Sequence, residues 1–357
     1  MKRFKEFIAG NPWSFLLAAL PVTLAAQLLH WSSVVIFICA ALGIIPLAAY
    51  IGEATEDLAS YTNPRLGALL NATFGNAAEL IITIAAVKAG LIELVKASIT
   101  GSIIGNLLLV LGFSMLTGGL RHGTQIFDKR SASRNAILLV LAVVALVIPS
   151  VWSQAIGAES NPKVEALSVG VAIIMMVLYG LGLFEVSNVK ESPLSHQLAK
   201  TDLPNWTLSQ VIVILFISTL GVVWLSETLV NATQSVIASL GVSEFFLGII
   251  LVPIIGNVAE HLVSVQLALN NKMELSVEVA TSSSLQIALF VAPLLVFISL
   301  LLGHPLQLVF NRFELLAVLT AVVVSALVSS DGESTWLEGA GLLAVYLILG
   351  LGFFLLP

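Results

Sequence analysis

Of 357 residues, 58% are hydrophobic and only 10% are charged, with a mean hydropathy of +1.03, which excludes an ordinary soluble domain, where about a quarter of residues carry charge. The net charge of -6 excludes little, because the placement of Lys and Arg, not the total, orients a membrane chain. A single cysteine, Cys39, excludes an internal disulfide and a cysteine metal cluster. The apolar runs are roughly 17 to 25 residues long, the length at which a helix crosses about 30 Å of hydrocarbon. The alternation of a barrel strand is absent. The composition therefore predicts an all-α integral membrane protein.

In chain order, the basic stretch Met1-Lys2-Arg3-Phe4-Lys5 precedes an apolar run from Trp13 that is long enough to span. It reads as a cytoplasmic anchor rather than a cleaved signal peptide. About eleven transmembrane helices follow from hydropathy, near 12–30, 33–52, 67–89, 92–117, 134–154, 164–186, 208–230, 244–269, 273–302, 313–329 and 335–356. With the N-terminus cytoplasmic, only Lys88, Lys96, Lys163 and Arg312 of the fifteen Lys and Arg residues fall on the outer side. The positive-inside rule then puts the C-terminus outside.

The third span contains Gly75-Asn76-Ala77-Ala78-Glu79, and the eighth contains Gly256-Asn257-Val258-Ala259-Glu260, 181 positions later. Five crossings separate the copies, so they run in opposite directions. The pattern predicts a first inverted repeat over 33–186 (helices 2–6) and a second over 208–357 (helices 7–11). An N-terminal segment and extra first helix occupy 1–32, and a polar cytoplasmic linker occupies 187–207. Acids precede each motif, Glu56 and Glu227, at the predicted ends of spans two and seven. After each motif comes a span with small polar residues, Ser102 and Asn106 in the fourth and Ser282, Ser283 and Gln286 in the ninth. Allowing a one-residue length difference, Ser102 matches Ser282 and Asn106 matches Gln286. The spacing of Gly101 and Gly105 reads as a helix-packing motif.

Asn and Glu three apart share one side of a helical turn, so each motif can aim two oxygen-bearing groups at one place. Ionisable residues inside a span usually mark an ion or proton path, and a duplicated pair points to one midplane site assembled from both halves. Gly75 and Gly256, with Pro253 nearby, can interrupt the helices and free carbonyls to line that site. The candidate metal ligands are Glu79, Glu260, Asn76 and Asn257, an all-oxygen set that suits a hard cation such as Ca²⁺. Two carboxylates neutralise one divalent ion. Left empty, the pair faces desolvation and mutual repulsion, which favour protonation as a coupled unit. Protons and cation then compete for Glu79 and Glu260, which is the basis of antiport. Glu56 and Glu227, near membrane boundaries, are the alternative proton carriers.

These residues resemble the calcium/proton exchanger family, also called cation/proton exchangers, within the cation/calcium exchanger superfamily. The resemblance rests on the two Gly-Asn-x-Ala-Glu motifs, on Ser102 to Leu108, and on Ser283 to Leu289. It implies that Glu79 and Glu260 carry Ca²⁺ and H⁺, supported by Asn76, Asn257, Asn106 and Gln286, and that ten helices form two inverted halves beside a first helix. Sodium/calcium exchangers of the superfamily usually carry Ser or Thr and Pro before the motif acid. Asn76, Ala77 and Ala78 stand there in this chain and favour proton coupling. The implied activity is secondary active exchange of Ca²⁺ for H⁺ by alternating access in a prokaryotic cell membrane, with no enzyme activity and no cofactor. A sodium-coupled calcium exchanger and a cation channel are the alternatives. The implied partners are Ca²⁺, H⁺ and the lipid bilayer; a homo-oligomer is compatible with the sequence, and no nucleic acid is expected. Many members have an acidic run between halves, whereas this linker holds only Glu191 and Asp202, so no regulatory calcium-binding linker is expected.

Overall fold

The structure is a computed structural model that describes residues 13–62, 64–157, 161–188 and 206–356. The basic N-terminal stretch and most of the predicted linker lie outside the described residues. A 3-10 turn at Ser14–Ala18 leads into α1 (Ala19–Leu28), followed by α2 (Ser33–Ser60), α3 (Pro64–Phe74), α4 (Ala77–Lys88) and α5 (Ile92–Ile104). A π-helical turn, Gly105–Val110, joins α5 to α6 (Leu111–His122), and α7 (Lys129–Ile156) and α8 (Pro162–Asn188) complete the first part. After the linker come α9 (Leu208–Leu240), a short turn Glu244–Phe246, a π turn Leu247–Leu251 and α10 (Val252–Leu269). The chain ends with α11 (Met273–Gln286), a π turn Ile287–Val291, α12 (Ala292–Leu302), α13 (Arg312–Val328) and α14 (Trp336–Leu355).

Among the described residues, eight helical segments are long and apolar enough to cross a membrane, so the chain is a multi-pass α-helical membrane protein. Its polarity is arranged for lipid. The central helix α5 buries Ser98, Thr100 and Ser102, and α11 buries Ser276, Thr281, Ser283 and Ser284. The peripheral helices α7, α8 and α9 instead turn Ile137, Ile173 and Ile212 outward. Many buried hydroxyls find partners in the next helix or in their own preceding turn: Asn135 Nδ2 donates to Thr281 Oγ1 at 3.0 Å, and Ser284 Oγ to the Ala280 carbonyl at 2.9 Å. That satisfaction is what the bilayer interior demands, since no water is available there.

Three departures from the predicted spans have local causes. The expected third span is split. Gly75 closes the last turn of α3, where a Cβ would stand 2.5 Å from the Asn71 carbonyl, and Asn76 leaves helical geometry at φ -97, ψ 23 before α4 begins. The second motif is not interrupted at Gly256, contrary to expectation, because α10 is continuous from Val252 to Leu269. There the irregular turn lies earlier, at Leu247–Leu251, just ahead of Pro253, where a wider turn accommodates a proline within a helical run. Lastly, α9 runs ten residues beyond the predicted end, to a left-handed cap at Gly241 with φ 66. Glu227 therefore lies within the helix rather than at its end. Lys88 of α4 pairs with it at 2.9 Å, so the charge need not terminate the helix.

Packing around the centre is close. α9 lies along α2, α10 contacts α4, α5, α6 and α11, and α5 presses on the π turn at Leu247–Leu251. On α5, a Cβ at Gly101 would collide with the Ile249 carbonyl and the Pro253 ring, whereas Gly105 has open space around it. The predicted glycine pair is thus one packing glycine, Gly101, and one that is not. At one end of the bundle, β1 (Gln125–Ile126) pairs antiparallel with β2 (Glu333–Ser334), tying the α6–α7 loop to the α13–α14 loop. Overpacking a tight site costs about 1–3 kcal/mol, so Gly101→Ala should lower the thermal unfolding midpoint of the purified protein measurably, while Gly105→Ala should leave it close to wild type. Equal effects of the two substitutions would refute this packing.

Candidate functional site

Both motif acids face the small-residue spans, Glu79 from the start of α4 and Glu260 from the middle of α10. Glu79 lies in the first turn of α4 and is fully buried. Its Oε1 accepts a short hydrogen bond from Ser102 Oγ of α5, and its Oε2 is buried with no hydrogen-bond partner. Glu260 is partly accessible, and its Oε2 accepts from Ser283 Oγ of α11 at 2.5 Å. Each serine stands 23 residues after its glutamate.

The amides brace this pair crosswise. Asn257, from the second motif, donates through Nδ2 to Ser102 Oγ at 3.1 Å and also to the Pro253 carbonyl at 3.1 Å. Asn76, from the first motif, lies with its Oδ1 3.3 Å from Ser283 Oγ and donates through Nδ2 to Gln286 Oε1 at 2.6 Å. Asn106 Nδ2 donates to Ser283 Oγ at 3.0 Å. Every serine that touches a glutamate of one motif is therefore held by an amide of the other. Gly256 makes the approach possible, since a Cβ there would lie 3.3 Å from Glu79 Cβ. Gly75 contributes differently, by ending α3 immediately ahead of Asn76.

The structure thus gathers these residues into one cluster built of two hydrogen-bonded networks: Glu79, Ser102 and Asn257 in one, and Glu260, Ser283, Asn76, Asn106 and Gln286 in the other. Ser282 stays out of it: its hydroxyl bonds back to the Glu278 carbonyl at 2.5 Å within α11. The equivalent of Ser102 is Ser283, which the 181-residue offset between motifs gives without any length difference. The same offset pairs Asn106 with Ile287 rather than Gln286; the two amides reach the site from neighbouring, not equivalent, positions. Glu56 is exposed on α2 and Glu227 is held by Lys88 at an exposed position, so neither enters the cluster. Sequence reasoning also placed Lys96 as an ordinary outer-side cation. It is almost fully buried in α5, 3.1 Å from Glu93, one turn before Thr100, whose hydroxyl faces the buried Glu314 of α13 at 3.5 Å. Its position inside a predicted span was the available signal.

A buried carboxylate oxygen without a hydrogen-bond partner is an acceptor that a proton or a cation can satisfy. The cluster offers carboxylate, hydroxyl and amide oxygens; among the described residues no group of three His, Cys, Asp or Glu gathers to suggest a softer metal. A family model described as "Sodium/calcium exchanger protein" matches residues 32–186 and 210–355. The chain belongs to the sodium/calcium exchanger protein family. It is 46% identical to a "Ca(2+)/H(+) antiporter" of Aphanothece halophytica, over 96% of this chain and 96% of that protein. It is 44% identical to the "Ca(2+)/H(+) antiporter ChaA" of Bacillus subtilis (strain 168), over 95% and 97%. Among solved structures, native YfkE superposes with a TM-score of 0.85 at 43% identity, covering 96% of this chain and all of that one.

Partners that orient metal ligands are typically worth about 10–100-fold in affinity. Ser283→Ala should therefore weaken half-saturating Ca²⁺ in a proteoliposome uptake assay by about tenfold or more, with Ser282→Ala within about twofold of wild type. A larger effect at Ser282 would reject the assignment.

Proposed function

We propose that this protein is a secondary active transporter exchanging Ca²⁺ for H⁺, with Glu79 and Glu260 as the shared carriers of both ions. The observation that carries the reading is the crosswise cluster: two glutamates from the two motifs, each bonded to a serine that an amide of the opposite motif holds. The named relatives and the membrane-spanning build support the same activity. Asn76 and Asn257 complete the proposed ligand set. Ser102, Asn106, Ser283 and Gln286 orient the acids, Gly256 admits Glu79, and Gly75 frees the turn ahead of Asn76.

Charge balance supplies the mechanism. One Ca²⁺ is neutralised by two carboxylates; without it, two protons do the same. A state with neither leaves bare charge in a medium where it is very costly, so the protein reorients only when loaded with one or the other. Hydroxyl groups suit both states, because Ser102 and Ser283 can donate to a carboxylate or turn a lone pair toward a cation. Movement of the halves around a fixed site is the general form of alternating access in duplicated transporters.

The finer architecture belongs to this proposal: eleven spans, with 1–32 as the N-terminal segment and first helix, inverted repeats over 33–186 and 208–357, and the linker 187–207 facing the cytoplasm of a prokaryotic cell. Two features favour it. The family description matches two stretches, 32–186 and 210–355, close to the two proposed halves, and the π turns after Ser102 and Ser283 begin at Gly105 and Ile287. On this reading the N-terminus is inside and the C-terminus outside.

Either Glu79→Gln or Glu260→Gln should abolish Ca²⁺/H⁺ exchange in liposomes while leaving protein that elutes and unfolds like wild type; full activity of either variant ends the proposal. Competition gives a second check. Metal ligands must be deprotonated, so falling pH removes the binding form and the half-saturating Ca²⁺ concentration should rise, by up to about tenfold per pH unit for each proton displaced. Initial uptake rates at several pH values, in sodium-free buffer with the membrane potential clamped, measure this. A half-saturating concentration that stays constant with pH would move the proton to a separate acid.

A further inference from the structure

Two charged residues that the ion site does not use are almost fully buried: Lys96 of α5 is 2% exposed and Glu314 of α13 is 1% exposed. They belong to one polar strip. Glu93, Lys96 and Thr100, at i, i+3 and i+7, share a face of α5. Lys96 Nζ lies 3.1 Å from Glu93 Oε1, and Thr100 Oγ1 lies 3.5 Å from Glu314 Oε1. The other Glu314 oxygen, Oε2, accepts from the Asn311 backbone N–H at 2.7 Å. Glu93 is well exposed, at the end of the bundle opposite the β1–β2 pair, so the strip runs from solvent into the core. Other charges near Glu314 are few. Glu244, which accepts from the Leu94 N–H at 3.3 Å, acts on Glu93, and Arg312 is exposed. The elements packed against α13 are α7, α14 and the Gly105–Val110 turn. No charged residue occurs in that turn or in α7 from Asn135 to Ile156, and the acid of α14, Glu338, lies near the β1–β2 end.

A neutral version of the same junction exists in this chain. At the 181-residue offset between motifs, Lys96 and Thr100 correspond to Val277 and Thr281, and Thr281 Oγ1 accepts from Asn135 Nδ2 of α7 at 3.0 Å. A hydroxyl and an amide join the helices there without charge. Replacing a buried ionic group by neutral side chains is often harmless or stabilising, so holding α5 to α13 does not account for Lys96 and Glu314. Ionisable groups inside a span mark ion or proton paths by default.

Position supplies the role. Thr100 and Ser102 are two residues apart, about 200° around α5. Glu314, beside Thr100, and Glu79, beside Ser102, therefore flank the same helix, about 10–12 Å apart. Across that distance, at an effective dielectric of about 20, one unit of charge changes cation affinity by about tenfold.

We propose that Glu314 is a proton-responsive acid that tunes cation binding at Glu79 and Glu260 from the Glu93 end of the bundle. Glu93, Lys96 and Glu314 together carry one negative charge. A proton entering past Glu93 and held on the Glu314 carboxylate brings that sum to zero, and cation binding weakens. The effect on transport rests on the exchange reading; the titration of Glu314 does not.

The titration is tested by carboxyl infrared difference spectra against pH, recorded on the full-length chain in a Glu79→Gln/Glu260→Gln background. A protonation signal should be present there and should disappear on adding Glu314→Gln. The tuning is tested in proteoliposomes with the two motif acids intact. Glu314→Gln, uncharged at every pH, should raise the half-saturating Ca²⁺ concentration about tenfold where wild-type Glu314 is ionised, and should change it little where Glu314 is protonated. Lys96→Val/Glu314→Asn copies Val277 and Asn135 and leaves Glu93 as the single negative charge. It should return the half-saturating concentration to within about threefold of wild type, with a smaller response to pH. A spectrum that Glu314→Gln leaves unchanged overturns the proposal. So does a half-saturating concentration equal to wild type in Glu314→Gln at every pH, or a double variant as weak as Glu314→Gln, because the join and not the charge would then matter. Loss of the exchange reading itself would show as wild type without Ca²⁺/H⁺ exchange, and the infrared result would still decide the titration.

Discussion

Everything central in this molecule depends on the cost of keeping two carboxylates out of water. In an apolar bundle an isolated charge is penalised by many kcal/mol, and the chain meets that penalty by surrounding Glu79 and Glu260 with oriented dipoles rather than with fixed cations. Under the proposed mechanism, a lysine at the site would be a permanent counter-ion and would end its capacity to take a cation. Lys96, buried in α5, is engaged with Glu93. The hydroxyls and amides stabilise without neutralising, so the pair stays short of charge balance.

The crosswise bracing gives that arrangement a mechanical aspect. Because Asn257 reaches the serine beside Glu79, and Asn76 reaches the serine beside Glu260, neither acid can be displaced without disturbing the opposite motif. Two hydrogen bonds lead from each carboxylate to the asparagine of the opposite motif, three residues from the other acid on the same stretch of chain. The arrangement is not symmetric in accessibility, since Glu79 is sealed while Glu260 is partly open.

Much of this was legible in the sequence. Hydropathy gave the membrane class, and the two Gly-Asn-x-Ala-Glu motifs pointed at the acids, because a carboxylate in an apolar run is a strong signal against a weak background. Details resting on backbone geometry were less legible. Gly75 and Gly256 are the same residue in the same motif, yet one ends a helix and the other gives room for Glu79 Cβ; which occurs is decided by the turns before them and by the neighbouring helix. Ser282 and Ser283 differ by about 100° around α11, and an assumed one-residue gap chose the wrong one. Strict use of the repeat offset would have chosen correctly. The burial of Lys96 and the crosswise pairing of amides depend on contacts between distant segments and leave no local pattern.

The π turns at Gly105–Val110 and Ile287–Val291 carry a further implication for how such a chain can vary. A π turn holds about one residue more than an α turn, so the chain can carry an extra residue there while the helical segments on either side keep their phase. Deleting one residue from Gly105–Val110 would let this turn relax to regular geometry with α6 still in phase with α5, and the contact of the buried Ser114 with Ser264 would be kept. What would change is the turn itself, which carries Asn106 and its bond to Ser283. A residue gained or lost here therefore alters the cluster and spares the packing beyond it.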